Sequence, residues 1–510
     1  MNPTKRIIVN TLAQYVKAVL SICLSLYSTR LILDALNVDD YGIYSVVGGA
    51  VSMLGFIVNA MVVTTQRYIS FYIGRGDFAY VKKLFSNSLL LHLLIGICIA
   101  VILLLAEKWF MDVLKIAPDR VETARMVYFI TTIMLLITIV MAPFKALFIA
   151  REKIVYIAVV EIADAFIKLG LAIWLSHIGS DKLLFYALMM AGIQLLNLLA
   201  YAGYSRWKFA ECSFAIHRRD IDHKTMGSIF GFAGWSTYGM GSIAARNQGI
   251  AVILNHFFGT AINAAYGLAF QIYSSMAFVS SSILNAMNPQ IMKAEGAGEH
   301  NKMLSLASRE SKFSVALMGI VSIPVMMELP AILEVWIKRE VPPFSALFST
   351  FILISFLIDQ TTIGLHAVNQ AQGHIRNYSL LMFTPKLLNL PIAYLMLLKG
   401  CSVESVMWVY VAIEASVAIA RLPYLKKTAG LSISIYLRKT LLPLVPLFIA
   451  SIGTCWLCIT MLHMPYRFLV TVLLAIVIAS FAAWHFTLSS SERSFFVEMV
   501  KLKLQLWRGR

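Results

Sequence analysis

Residues 10–28 read NTLAQYVKAVLSICLSLYS, and within them Asn10, Gln14, Lys17, Ser21, Ser25 and Ser28 recur at intervals of threes and fours. On a helix these intervals put all six on one face, with apolar side chains covering the remainder. The apolar run that holds them, about 8–33, is long enough to cross a bilayer, which takes about 20 such residues. A lysine near mid-membrane costs roughly 2.5–3.5 kcal/mol on insertion scales, so it faces a bundle interior or a watered cavity rather than lipid. The stretch predicts a polar path through a bundle of membrane helices.

The rest of the 510 residues agrees. The chain is 59% hydrophobic and 14% charged, with a mean hydropathy of +0.77, far from the composition of soluble domains. Apolar runs bounded by charges or turn residues predict an all-α integral membrane protein of about fourteen transmembrane helices. The ninth is expected at about 310–336, the tenth as one helix at about 344–371 and the twelfth at about 402–422. The longest polar connection, from Arg206 to about Lys224, is too short to bury a core, so function must lie in the bundle. Met1 to Arg6 is basic and leads into a span longer than a signal-peptide core, which reads as a retained first helix.

A net charge of +17 could suit nucleic acid, but the cations gather in alternate connections. One side holds Lys5 and Arg6, Arg75, Lys82 and Lys83, Arg151 and Lys153, and Arg206, Lys208, Arg218, Arg219 and Lys224. The same side continues with Lys293, Lys302, Arg376, Lys426 and Lys427, then Arg493, Lys501, Lys503, Arg508 and Arg510. The other side carries Asp34, Asp39 and Asp40, a balanced loop from Glu107 to Glu122 and a mixed one from Glu334 to Glu340. The bias answers to a lipid bilayer, excludes nucleic acid as the partner and places both termini in the cytoplasm. Six cysteines make no disulfide framework, and Cys455 and Cys458 inside the thirteenth span read as ordinary buried thiols.

Three sets of turn residues recur at one offset. Leu33-Asp34 followed by Tyr41-Gly42 matches Leu254-Asn255 followed by Tyr266-Gly267. Gly74-Arg75-Gly76-Asp77 matches Glu295-Gly296-Ala297-Gly298-Glu299, and Ala150 to Ile154 matches Ala371 to Ile375. A constant offset is the mark of an internal repeat. It predicts an N-terminal six-helix lobe (1–205), a basic cytoplasmic linker (206–225), a C-terminal six-helix lobe (226–425), and two extra helices with a basic tail (426–510). Six spans per unit give the repeats one orientation, about an axis along the membrane normal.

Further polar stripes follow. The second span has Ser45, Gly48, Ser52, Gly55, Asn59 and Gln66, the eighth Gln271, Ser274, Ser282 and Asn285, and the seventh Trp235, Tyr238, Ser242 and Arg246. Small polar residues at helical spacing either pack helices closely or line a shared cavity. The tenth span carries Ser355, Asp359, Thr362, His366 and Asn369, where a carboxylate and an imidazole on one face could relay a proton or hold a cation, or form a buried pair. In the fifth, Glu161, Asp164 and Lys168 share a face, and Asp164 with Lys168 is spaced for an i,i+4 ion pair. Lys17, Arg30, Arg67, Lys145, Arg246 and Lys386 outnumber Asp359 and Glu414, which suggests a cavity suited to an anion. Snorkelling to the interface is the competing account of Arg30, Arg67 and Lys145. No phosphate-binding GxxxxGK[ST] loop, metal-ligand spacing or nucleophile constellation stands out, so no cofactor, metal or enzyme activity is expected.

The helix from Asn10-Thr11 through Arg30, the Leu33 to Tyr41-Gly42-Ile43-Tyr44 turn, the Gln66-Arg67-Tyr68 to Gly74-Arg75-Gly76 exit and its Asn288-Pro289 to Gly298 counterpart together resemble a known group. It is the Wzx-type polysaccharide and oligosaccharide-lipid flippases of the multidrug, oligosaccharidyl-lipid and polysaccharide (MOP) transporter superfamily. The resemblance spans roughly residues 1–430. It implies two six-helix lobes in a V that alternate access and flip an undecaprenyl-diphosphate-linked glycan across a bacterial inner membrane for O-antigen, capsule or other surface polysaccharide. Lys17, Arg30 and Arg246, with Gln14, Asn59 and Gln271 beside them, become candidate headgroup contacts in a cationic cavity, and Asp359 and His366 candidates for a coupling proton or sodium ion. Contacts with polysaccharide polymerase machinery are also implied. A multidrug or toxic-compound antiporter and a peptidoglycan-precursor flippase are the alternative readings.

Overall fold

The computed structural model describes residues 3–113, 116, 118–179, 181–212, 221–337 and 341–494. Arg218, Arg219, Glu340, Lys501, Lys503, Arg508 and Arg510, and the side chains of Lys5, Arg6, Asn10, Asp39 and Ser52, lie outside the described residues. Among those described the structure is helical, without strands. The helices are α1 (Pro3–Ser52), α2 (Gly55–Arg75), α3 (Phe78–Val113), α4 (Val121–Ala150), α5 (Ile154–Leu175) and α6 (Lys182–Lys208). Then come α7 (His223–Phe258), α8 (Thr260–Gly296), α9 (His300–Met327), α10 (Leu329–Ile337), α11 (Ser345–Gln360) and α12 (Ile363–Gln372). The chain ends in α13 (Ile375–Leu398), α14 (Val403–Ala429), α15 (Ile433–Tyr436), α16 (Val445–Met461) and α17 (Arg467–Ala482).

Among the described residues, nine spans are long and apolar enough to cross a membrane, ten if the bent pair α11 and α12 counts as one. α10, with nine residues, falls outside that set by length, and of the longer helices α1, α2, α5 and α7 fall outside it, each with a polar stripe or internal charges. Burial against other helices, not apolar composition, must hold such segments in a membrane. With them the count reaches about fourteen. α1 holds the first span and the start of the second, parted by a kink at Asn37 (φ 64°).

Close packing divides the chain into two compact units, one of residues 6–241 with 292–298, the other of 1–5, 242–291 and 299–510. In the first, Leu36, Val47, Met61, Val127, Tyr128 and Leu175 belong to one buried core, and Phe85, Phe144, Phe148 and Tyr201 to a second. In the other, Leu254, Tyr266, Phe348, Met407 and Tyr410 form the core. Val315, Leu447 and Ala479 join α9 to the two last helices.

Backbone geometry carries the repeat more sharply than the residue matches do. Positive φ occurs at Asn37, Gly76 and Glu152, and again at Gly259, Gly298 and Gly373, each 221 or 222 residues later. Glu152 stands where a helix-ending motif ordinarily takes glycine: Glu152 N–H donates to the Ile149 carbonyl and Lys153 N–H to that of Phe148. A left-handed non-glycine residue costs roughly 1 kcal/mol. The ion pair from Glu152 to Lys293 Nζ, 2.5 Å, offsets it.

The ends of α2 and α8 meet in the first unit at repeat-related positions. A Cβ on Gly74 would stand 2.1 Å from the Lys293 carbonyl oxygen, and one on Gly296 1.9 Å from that of Phe71. Only glycine permits so close a backbone crossing. Since 71 and 74 correspond to 293 and 296, the crossing is reciprocal.

Candidate functional site

In the unit that begins at Ser242, α14 places Glu414 and Arg421 seven residues apart, two turns along one face, and both are buried. Arg246 of α7 donates from Nη1 to Glu414 Oε2 at 2.8 Å, and its guanidinium lies 4.2 Å from the Tyr410 ring centre. Lys386 of α13 donates to Glu414 Oε1 at 2.5 Å and stands 3.7 Å from Asp359 of α11. Arg421 Nη2 completes the chain with a 2.8 Å bond to Asp359 Oδ1. Desolvating five charges is tolerated only because each has a partner of opposite sign. Three cations face two carboxylates, one positive charge in excess. The cavity beside them, lined by Arg246, Tyr273, Ser355, Asp359, Lys386 and Glu414 among others, is about 50 Å³. That admits a water or a small ion, not a sugar.

The tenth span is expected as one helix but is broken. α11 stops at Gln360, α12 starts at Ile363, and the two are bent by 47°. Backbone groups freed by a break at membrane depth need partners from the protein. Arg421 Nη1 donates to Thr362 Oγ1 (3.0 Å) and to the Asp359 carbonyl (3.5 Å), and the Tyr436 hydroxyl donates to the Thr361 carbonyl at 2.6 Å. Past the break α12 lies against α9, where a Cβ on Gly364 would be 2.0 Å from the Ala307 carbonyl oxygen. Gly364 N–H donates to Ser311 Oγ at 3.0 Å. The break leaves Asp359 on α11 and His366 on α12, and no hydrogen bond or ion pair joins the two side chains among the described residues. His366 hydrogen-bonds Gln370 at 2.9 Å, with its ring centre 5.3 Å from that of Tyr378.

The other unit has its own cluster. Lys17 of α1 donates to Glu161 Oε2 at 2.6 Å, and Lys145 of α4 to Glu161 Oε1 at 3.0 Å. Glu161 on α5 therefore holds two cations. A turn further along, Asp164 pairs with Lys168 at 2.7 Å, as the spacing predicts, and accepts from Asn197 Nδ2 at 2.7 Å. Gln14, one turn before Lys17, is buried, whereas Arg30 and Asn59 are exposed. Gln271, on α8 in the second unit, is exposed too.

Sequence reasoning named Lys145, Lys386 and Glu414 without their partners and passed over Arg421. The i,i+7 spacing of Glu414 and Arg421 was the available signal. It also passed over Glu310 of α9, fully buried, with no hydrogen-bond partner for either carboxyl oxygen among the described residues.

No protein-family model matches the sequence, and no curated protein matches it. Solved structures do match in fold. A MATE transporter in complex with MaL6 superposes with a TM-score of 0.71 at 14% identity, covering 84% of this chain and 97% of that one. A MOP superfamily transporter from Pyrococcus furiosus, described as having a binding pocket of reverse polarity that suggests a different function, gives 0.71 at 14% identity over 84% and 96%. The eukaryotic MATE transporter AtDTX14 gives 0.65 at 14% identity over 86% and 96%. The chain therefore has the fold of the MOP superfamily transporters, MATE proteins included.

Proposed function

We propose that the chain is a flippase that carries an undecaprenyl-diphosphate-linked oligosaccharide across a bacterial cytoplasmic membrane by alternating access, supplying O-antigen, capsule or another surface polysaccharide. The supporting observation is the excess of positive charge at membrane depth in both units. Lys17 and Lys145 share one carboxylate, and Arg246, Lys386 and Arg421 share two. A residual positive charge attracts a diphosphate and repels a cationic drug. Lys17 is the headgroup contact we place first, with Gln14 beside it; Arg30, Asn59 and Gln271 are secondary candidates, and Arg246 acts through the field of its cluster. A reverse-polarity pocket is described for the Pyrococcus furiosus neighbour, so pocket charge varies on this fold. Polymerase machinery that receives the glycan is the proposed partner.

Cation-coupled drug export is the second reading, favoured by the MATE neighbours and by carboxylates Asp359 and Glu414 in the membrane. Both carboxylates are already held by Arg or Lys, which leaves little for a cationic drug. For ion coupling, a proton or sodium ion must compete with Arg421 at Asp359, whereas Glu310 has no such competitor and is the carboxyl to test first, ahead of His366. Purified protein in sealed liposomes separates the readings. Movement of a polyprenyl-diphosphate glycan without drug-driven proton or sodium flux is expected; drug-coupled flux with no glycan movement rejects the flippase. Preferential movement of a peptidoglycan precursor over other glycan lipids would reassign the substrate.

A further inference from the structure

A second cavity, about 790 Å³, lies away from the buried clusters. It is bounded by the start of α9, by the segment from Ser432 to Pro443, and by the residues from Phe486 to Glu492 after α17. Lys302, Lys426, Lys427 and Arg493 flank these segments, so the charge bias puts the cavity at the cytoplasmic surface of the membrane.

Among the described residues its walls carry Arg309, Lys312, Arg438 and Lys439 against one carboxylate, Glu492. Glu492 is already taken: Lys312 Nζ donates to both its oxygens, at 2.8 and 2.6 Å, and Arg309 is 3.9 Å away. Arg438 and Lys439 are exposed and make no ion pair among the described residues. They stand on a π-helical turn, Leu437–Leu441, between α15 and α16. Ile435 (55% exposed) and Phe486 (62%) line the same opening with large apolar surface. A basic recess next to uncovered apolar side chains, at the depth of the headgroups, has the two-part chemistry of a lipid: a phosphate for the cations and acyl chains for the apolar rim.

We infer that this cavity holds the phosphate headgroup of an anionic bilayer phospholipid, with Arg438 and Lys439 as its principal contacts and its acyl chains along Ile435 and Phe486. Free phosphate would gain nothing from the apolar rim. The inference does not depend on what the protein transports.

The test uses the full chain in nanodiscs of phosphatidylglycerol and phosphatidylcholine in equal parts, released for native mass spectrometry. Retention of phosphatidylglycerol over phosphatidylcholine is expected, and Arg438→Gln with Lys439→Gln should reduce that preference by roughly tenfold or more, at about a tenfold factor for each 1.4 kcal/mol. Lys302→Gln with Lys427→Gln removes the same charge from exposed sites outside the cavity and should leave the preference intact. Equal retention of the two lipids, an unchanged preference in the Arg438/Lys439 variant, or an equal loss in the Lys302/Lys427 variant would overturn the site. Displacement of the phosphatidylglycerol by equimolar undecaprenyl diphosphate would overturn it in favour of a substrate site.

Discussion

Glu161 and Glu414 each hold two cations, yet the Glu161 side chain is 29% exposed and that of Glu414 3%. The partners follow suit: Lys17 and Lys145 are 14% and 29% exposed, Arg246 and Lys386 7% and 4%. The same arrangement of charges therefore means different things. In the sealed cluster Glu414, Arg246, Lys386 and Arg421 are buried while Asp359 is 22% exposed, so parting Glu414 from its cations strands a charge and the network ties α7, α13 and α14 to one another. The half-open cluster reaches the surface of the packed helices, so an entering phosphate oxygen can replace Glu161 as the partner of a lysine at lower cost than in the sealed one. The stabilising site is the sealed one, and the site able to exchange partners is the half-open one.

Breaking the sealed cluster should have the largest effect. Glu414→Ala leaves Arg246 and Lys386 buried without their carboxylate and should cost about 3–5 kcal/mol, read as loss of folded, monodisperse protein in detergent. A melting temperature close to wild type would show that water reaches the cluster. Next comes Arg421→Ala, which removes the closer partner of Asp359, leaving Lys386 at 3.7 Å, and the donor to the backbone at the α11–α12 break. About 2–3 kcal/mol is expected, with hydrogen exchange rising locally around Thr361 and Thr362. Glu161→Gln should cost less than Glu414→Ala, about 1 kcal/mol or less in thermal unfolding, because its cluster is the more exposed of the two. A loss as large as that of Glu414→Ala would erase the distinction between the two clusters. The smallest effect belongs to Lys168→Gln, within about 0.5 kcal/mol for an i,i+4 pair on a half-exposed face.

Much of the fold was legible because membrane spans announce themselves by length and composition, and because turn geometry recurs at one offset. Gly76, Gly298 and Gly373 marked their turns; Glu152, in the same conformation without being glycine, did not. The break at Thr361 and Thr362 has no glycine or proline to betray it, and its stabilisers, Arg421 and Tyr436, come from elsewhere in the chain. α9 starts at His300, about ten residues before the expected 310, since Lys302 and Arg309 precede the apolar run from which the span is read. The helix buries Glu310 and Lys312 nonetheless. At the site, depth was readable and partnership was not. Arg246 stood out as a cation in an apolar run, but its carboxylate lies 168 residues away. Arg421, one residue from the expected end of its span at 422, looked like a boundary charge.

The comparison also changes how a transport site is tested. Reversing Arg246 would disrupt the sealed cluster and lower transport through misfolding, whereas Lys17 can be neutralised with the fold intact. The most direct measurement is the initial rate at which a polyprenyl-diphosphate-linked glycan is exposed on the far side of sealed proteoliposomes, wild type against Lys17→Gln at matched melting temperature. A rate at least tenfold lower for the variant is expected, about 1.4 kcal/mol of lost interaction with the moving headgroup. No glycan movement by the wild type, or the same rate in both proteins, would contradict a flippase built on a cationic path.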